Sequence, residues 1–240
     1  MKIIELDQNS EEWFHYRLGK SGGSNFGKLF KTSGRGNDKV RDYAYTLLAE
    51  RVARPMTPND YLDDMPEEMK GMPFSWAIRG HILEPRVADL FSKKYNLVLS
   101  EGKVWEDEDA KESYVSPDRS IVGQDGKIKE AVEIKCLSTD KVLKVWADSM
   151  SKSAFEAIPN NDYQAQVLKY FMINKDLEKL YWVVYTDLII DHPDFMVVLE
   201  IKREDVISMV EDAKKVEIAT LLYVDNLENK LKSIDNTISL

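Results

Sequence analysis

Residues 131–137 read Ala-Val-Glu-Ile-Lys-Cys-Leu, an apolar run of strand length that carries two opposite charges, Glu133 and Lys135. Aliphatic residues on both sides of the charges point to a strand buried inside a sheet, where an uncompensated charge is expensive. Residues two apart on a strand leave the same face, so Glu133 and Lys135 project together. They must satisfy each other or share a metal ion. An exposed hairpin with an ordinary cross-strand Glu–Lys pair is the other reading, and it leaves the apolar flanks unexplained.

Upstream lies Ser116-Pro117-Asp118, followed by the turn-forming residues Gly123, Gln124, Asp125 and Gly126. This is hairpin spacing. Asp118, fifteen positions before Glu133, ends or opens the neighbouring strand, so the two carboxylates converge. Two converging carboxylates make a hard-oxygen site suited to Mg²⁺. The adjacent ammonium can hold an attacking water or offset charge developing on a phosphate.

At 240 residues the chain fits one domain, 1–240, with a sizeable core. Its single cysteine, Cys136, excludes an internal disulfide framework and fits a reducing compartment. The N-terminus shows no apolar signal core, and no apolar run approaches membrane-spanning length. These features predict a soluble cytoplasmic protein with no membrane partner. The net charge of −9 argues at first against nucleic acid, but its distribution matters more. From Trp13 to Arg41 there are seven basic residues, Arg17 and Arg35 among them, against one acidic residue, Asp38. Six of the eleven glycines fall in the same stretch, which allows close backbone approach to phosphates. The competing reading is a solvated basic surface with a flexible loop.

Periodicity predicts helices near 10–17, 24–30 and 38–52, and a connector over 54–73. A long helix follows at 76–95. Strands are predicted at about 97–105, 113–116, 120–122 and 131–137. A helix over 161–173, strands at 179–186 and 195–201, and a last helix over about 203–225 complete the chain. This order fits an α/β fold with a central mixed sheet flanked by helices. A basic segment (13–41) would lead into a core over 76–202.

Five segments in order carry a family resemblance: Trp13…Arg17-Leu18-Gly19 with Ser24, Gly80-x-x-x-Glu84, Ser116-Pro117-Asp118, Glu133-Ile134-Lys135-Cys136, and Tyr163-x-x-Gln166. The chain resembles the lambda-type and YqaJ-type viral recombinase exonucleases, a branch of the PD-(D/E)XK nuclease fold. The resemblance implies that Asp118, Glu133, the Ile134 carbonyl and Glu84 hold Mg²⁺ (two ions, with Mn²⁺ able to substitute). It implies that Lys135 orients the water and that Gln166 supports the cluster. Arg17, Ser24 and Ser116 match a pocket for the 5′-terminal phosphate, with Ser21 a competitor to Ser24. Ser24 can also be read as a helix N-cap, and Gln164 as merely solvated. Two residues depart from the family pattern: Arg119 replaces a usual glycine, and Leu168 replaces a second glutamine.

The implied activity is a 5′→3′ exonuclease on linear double-stranded DNA. It would leave a 3′ single strand for a single-strand annealing protein, in a phage or prophage setting, and the resemblance implies a homotrimeric ring. A PD-(D/E)XK endonuclease, a RecB-like nuclease and an inactive DNA-end-binding partner are the alternatives.

Overall fold

The computed structural model describes residues 1–8, 10–32, 35–36, 40, 43–44, 47, 76–189 and 192–233; for 35–36, 76–79 and 81–82 it describes the backbone alone. In chain order the N-terminal elements are β1 (Lys2–Ile4), α1 (Glu11–Arg17), β2 (Ser21–Gly22), a 3₁₀ turn over Gly23–Lys28, β3 (Phe30–Lys31) and β4 (Arg35–Gly36). Helix α2 (Trp76–Tyr95) leads to β5 (Ser100–Glu101), β6 (Val104–Glu106), β7 (Ser113–Val115), β8 (Arg119–Val122) and β9 (Ile128–Cys136). Then come α3 (Thr139–Ser149), α4 (Asn161–Ile173), β10 (Lys179–Thr186), β11 (Phe195–Lys202) and α5 (Arg203–Lys232).

The motif strand β9 is central, as its apolar flanks require. The main sheet runs β11-β10-β9-β8-β5. Strands β9 and β10 are parallel, and the other pairs are antiparallel, so the sheet is mixed. Alternate residues of β9 go to opposite faces. Val132 and Ile134 pack with Val87, Ala88 and Phe91 of α2 on one side. Ala131 joins the larger core built from α3, α4 and α5 on the other. Glu133 and Lys135 share the parity of Ala131, which puts the charged pair on the α4 side. Helix α2 holds its place through this apolar stripe, each large side chain contributing about 1.5–3 kcal/mol. A smaller sheet, β1-β6-β7-β2, carries the N-terminal segment up to the motif hairpin.

Helix α4 is the axle of the molecule. Asn160 caps it, accepting from the Tyr163 N–H at 2.9 Å. Every residue from Ala165 to Ile173 is buried, so its polar side chains need partners. Lys169 ion-pairs with Glu217 of α5 and donates to Ser113 of β7 at 2.6 Å. Burial lowers the Lys169 pKa, and Glu217 opposes that shift. Glu217→Ala, leaving a fully buried ammonium unpaired, destabilises the fold by roughly 3–5 kcal/mol. Urea unfolding should show this loss, with much of it recovered in a Lys169→Met/Glu217→Leu double variant.

The helices at 76–95 and 161–173 and the strand at 179–186 stand where periodicity puts them. The expected helix at 24–30 is instead a 3₁₀ turn running into β3. A Cβ at Gly23 would lie 2.6 Å from the Val115 side chain, so the segment lies too close to β7 for an ordinary helical residue there. Gly22, not Ser24, stands at the N-terminal cap of this turn. The expected strand at 97–105 is two short strands, β5 and β6. Helix α3 is not among the predicted elements, although Val142, Val145 and Trp146 stand at helical spacing, and the last helix runs seven residues beyond 225. The predicted helix at 38–52 falls largely outside the described residues, and the connector at 54–73 lies wholly outside them. Cys136 is half-buried, beside the α2 cluster. No described helix is long and apolar enough to cross a membrane.

Candidate active site

The site forms where the hairpin β8–β9 opens. Pairing of the two strands ends at Arg119 opposite Val132, so the next inward N–H of β9, on Ile134, needs another acceptor. Asp118 supplies it, its Oδ2 accepting from Ile134 at 2.6 Å. The Pro117–Asp118 backbone is in turn pressed against Gly102. That glycine donates its N–H to the Asp118 carbonyl at 3.1 Å, and a Cβ there would fall on the Pro117 carbonyl oxygen. Glycine at 102 therefore sets where Asp118 sits.

Glu133 is buried and held on every side. Lys135 pairs with its Oε1, and Gln166 donates to the same oxygen at 2.7 Å. The Tyr170 hydroxyl meets Oε2 and also lies 3.0 Å from the Ser116 carbonyl. Burial pushes the Asp118 carboxyl well above its ordinary range; the charges of Glu133 and Glu84 add to this, while Lys135 and the Ile134 N–H oppose it. Burial works against the Lys135 ammonium, but Glu133 and Asp118 outweigh it and raise its pKa. The two carboxylates thus favour the charged form of Lys135.

Asp118 and Glu133 crowd like charge around buried oxygens, and a hard divalent cation relieves that crowding. The donor set therefore fits such an ion. Glu84 reaches the site from α2, and its charge acts on the Asp118 carboxyl. Its Oε1 is taken by Arg119 Nη1 at 2.8 Å. Among the described residues no three His, Cys, Asp or Glu side chains form a ready-made metal cage.

Arg17, at the end of α1, lies 4.1 Å over the Trp13 ring. It donates from Nε to the Tyr114 hydroxyl at 2.8 Å and from Nη2 to Ser24 Oγ at 3.4 Å. Ser116 Oγ accepts from Gln8 at 2.7 Å. Arg17, Ser24 and Ser116 share a cavity of about 210 Å³ with Asp118, Glu133 and Gln166. Ser21 is fully buried and does not line this cavity. Arg35 lies on β4 opposite Lys31, with its side chain among those not described. Gln164 is engaged, not solvated: it accepts from Thr32 at 2.8 Å and donates to the Ile158 carbonyl at 3.2 Å.

Comparison with known families matches residues 12–176 to the YqaJ-like viral recombinase domain. The chain belongs to the YqaJ-like viral recombinase domain family. The matched span contains every residue of this site except Gln8. Among solved structures, the YqaJ-like chain is similar to an alkaline exonuclease, LHK-Exo, from Laribacter hongkongensis. The identity is 18% and the TM-score 0.66, over 94% of this chain and 100% of the other. The same protein in complex with dAMP gives 18% and 0.64 over the same shares. A phage-related exonuclease from Haemophilus somnus 129PT gives 13% and 0.56, over 88% of this chain and 96% of the other. The chain shares its fold with the LHK-Exo structure. A comparison with curated protein sequences gives no match.

Four features of the site have no counterpart among the sequence expectations: Gln8, Tyr114, Tyr170 and the contact of Arg119 with Glu84. Tyr170 alone leaves a local trace, standing one helical turn after Gln166 on the same face.

Proposed function

We propose that the chain is a Mg²⁺-dependent 5′→3′ exonuclease that digests one strand of linear double-stranded DNA to mononucleotides. The observation that carries this reading is the single cavity joining Arg17, Ser24 and Ser116 to Asp118 and Glu133. A terminal phosphate held by the first group would lie beside the carboxylates, so cleavage would start at a 5′ end. Asp118, Glu133 and the Ile134 carbonyl would hold the ion, which when bound polarises the scissile phosphate and activates water. Gln166 and Tyr170 fix both oxygens of Glu133. Lys135 keeps a positive charge where the phosphoryl group gains negative charge. The dAMP bound by LHK-Exo supports a mononucleotide product. The 3′ strand left behind would serve a single-strand annealing protein.

Arg17 is held over the Trp13 ring and offers charge-assisted donors to phosphate oxygens. Arg17→Ala should therefore erase the preference for 5′-phosphate over 5′-hydroxyl ends, a loss of roughly 10–100-fold for charged hydrogen bonds of about 1.5–3 kcal/mol. Initial rates on the two substrates measure it. An unchanged ratio would move the phosphate pocket elsewhere. Polarity is tested on duplexes labelled at one end: the 5′ label should appear first as mononucleotide, and early release of the 3′ label would reverse the reading.

An acidic chain with one basic segment neutralises few phosphates alone. Three copies closed in a ring would gather three such segments around the duplex. Light scattering should give about three times the 27.7 kDa of one chain; an active monomer would refute the ring.

A further inference from the structure

Arg119 departs from the glycine that the family resemblance implies here, and its side chain is engaged. Its Nη1 bridges Glu84 Oε1 at 2.8 Å and the carbonyl of Asp118 at 2.5 Å. The two side chains are 17% and 21% exposed, so the pair is largely shielded from water. Its backbone is anchored on both sides, in register with Val132 of β9 and Glu101 of β5. Arg119 and Glu84 line a cavity of about 680 Å³ that also reaches Asp118 and Gln8. Asp118 and Gln8 belong as well to the smaller cavity that contains Glu133. Asp118 thus divides two chambers, one holding Glu133 with Lys135 nearby and one holding Glu84 with Arg119.

We propose that Arg119 is the resident cation of the Glu84 chamber. The guanidinium occupies Oε1 of the Glu84 carboxylate. The chain then holds one divalent ion, at Asp118 and Glu133, and gains a second only when Arg119 is displaced from Glu84. Arg119 is a positioning residue acting through Glu84, and it sets the metal count of the site. The inference rests on the nuclease reading only in taking Asp118 and Glu133 as the carboxylates for the ion.

The test counts Mn²⁺ bound to the full chain without DNA, by electron paramagnetic resonance of the free ion during titration. Wild type should bind one Mn²⁺. Arg119→Ala should bind two, the second tightened on the order of tenfold or more, as expected when a half-buried charge pair is removed. Arg119→Lys, which keeps a cation, should stay at one, and Arg119→Ala/Glu84→Gln should return to one. Glu84→Gln alone should leave the single site within about threefold of wild type, and this variant keeps the test open if Arg119→Ala fails to fold. Two equivalent ions in wild type, none at all, or one in a folded Arg119→Ala would overturn the proposal. So would loss of the single site in Glu84→Gln. Digestion of linear DNA is scored separately: an inactive wild type with the predicted metal counts sinks the nuclease reading and leaves the role of Arg119 standing.

Discussion

Asp118→Ala and Glu133→Ala should each abolish digestion of linear duplex DNA, by roughly 10⁴-fold or more, the scale of losing one member of a catalytic unit. Asp118 is the carboxylate fixed by the Ile134 N–H. Glu133 is the one fixed by Gln166 and Tyr170. Neither has a substitute within the chamber that contains both. Retention of duplex DNA in a gel-shift assay should change little, because binding rests on distributed phosphate contacts. The split between binding and turnover is the diagnostic feature. A Glu133→Ala variant that still digests DNA at the wild-type rate would place the chemistry elsewhere. Weakened binding with unchanged turnover would assign the carboxylate a structural role.

Lys135→Ala removes a different element and should show a different signature. The ammonium is held in its charged form by Glu133 and Asp118 despite burial, so its deletion takes away a pre-placed positive charge and leaves the carboxylates intact. Loss of such stabilisation is worth roughly 3–4 kcal/mol, or about two to three orders of magnitude in kcat. Mn²⁺ affinity should stay near normal or rise, since a competing cation has gone. Single-turnover rates with saturating protein separate this effect from DNA binding. A Lys135→Ala variant with wild-type kcat would contradict the assignment of Lys135 to the transition state.

The parts legible in the sequence are those governed by short-range pattern. The two-residue period of β9 is enough to put Glu133 and Lys135 on one face, and Asn160 with the run after it marks α4. Helix α3 carries a short apolar stripe, Val142, Val145 and Trp146 at helical spacing, but it spans little more than one turn, and Trp146 in it stays exposed. Gln8 and Tyr114 are hidden for another reason. They meet Ser116 and Arg17 across 108 and 97 positions of chain, and no local period encodes such a meeting. Arg119 shows in the sequence only as a departure at a turn. Its partner, Glu84, lies 35 residues away on α2, so the pairing emerges only once the hairpin and helix are packed. The family resemblance implies Glu84 among the ligands, and in the structure its Oε1 meets the Arg119 guanidinium.

Linear, nicked and covalently closed circular duplexes of one sequence, incubated with the chain in Mg²⁺ with and without chelator, test the central reading most directly. The linear form should be consumed to mononucleotides and 3′ single strands, closed circles should survive intact, and chelator should stop the reaction. Cleavage of closed circles, or digestion that continues in chelator, would contradict an end-dependent, metal-dependent exonuclease.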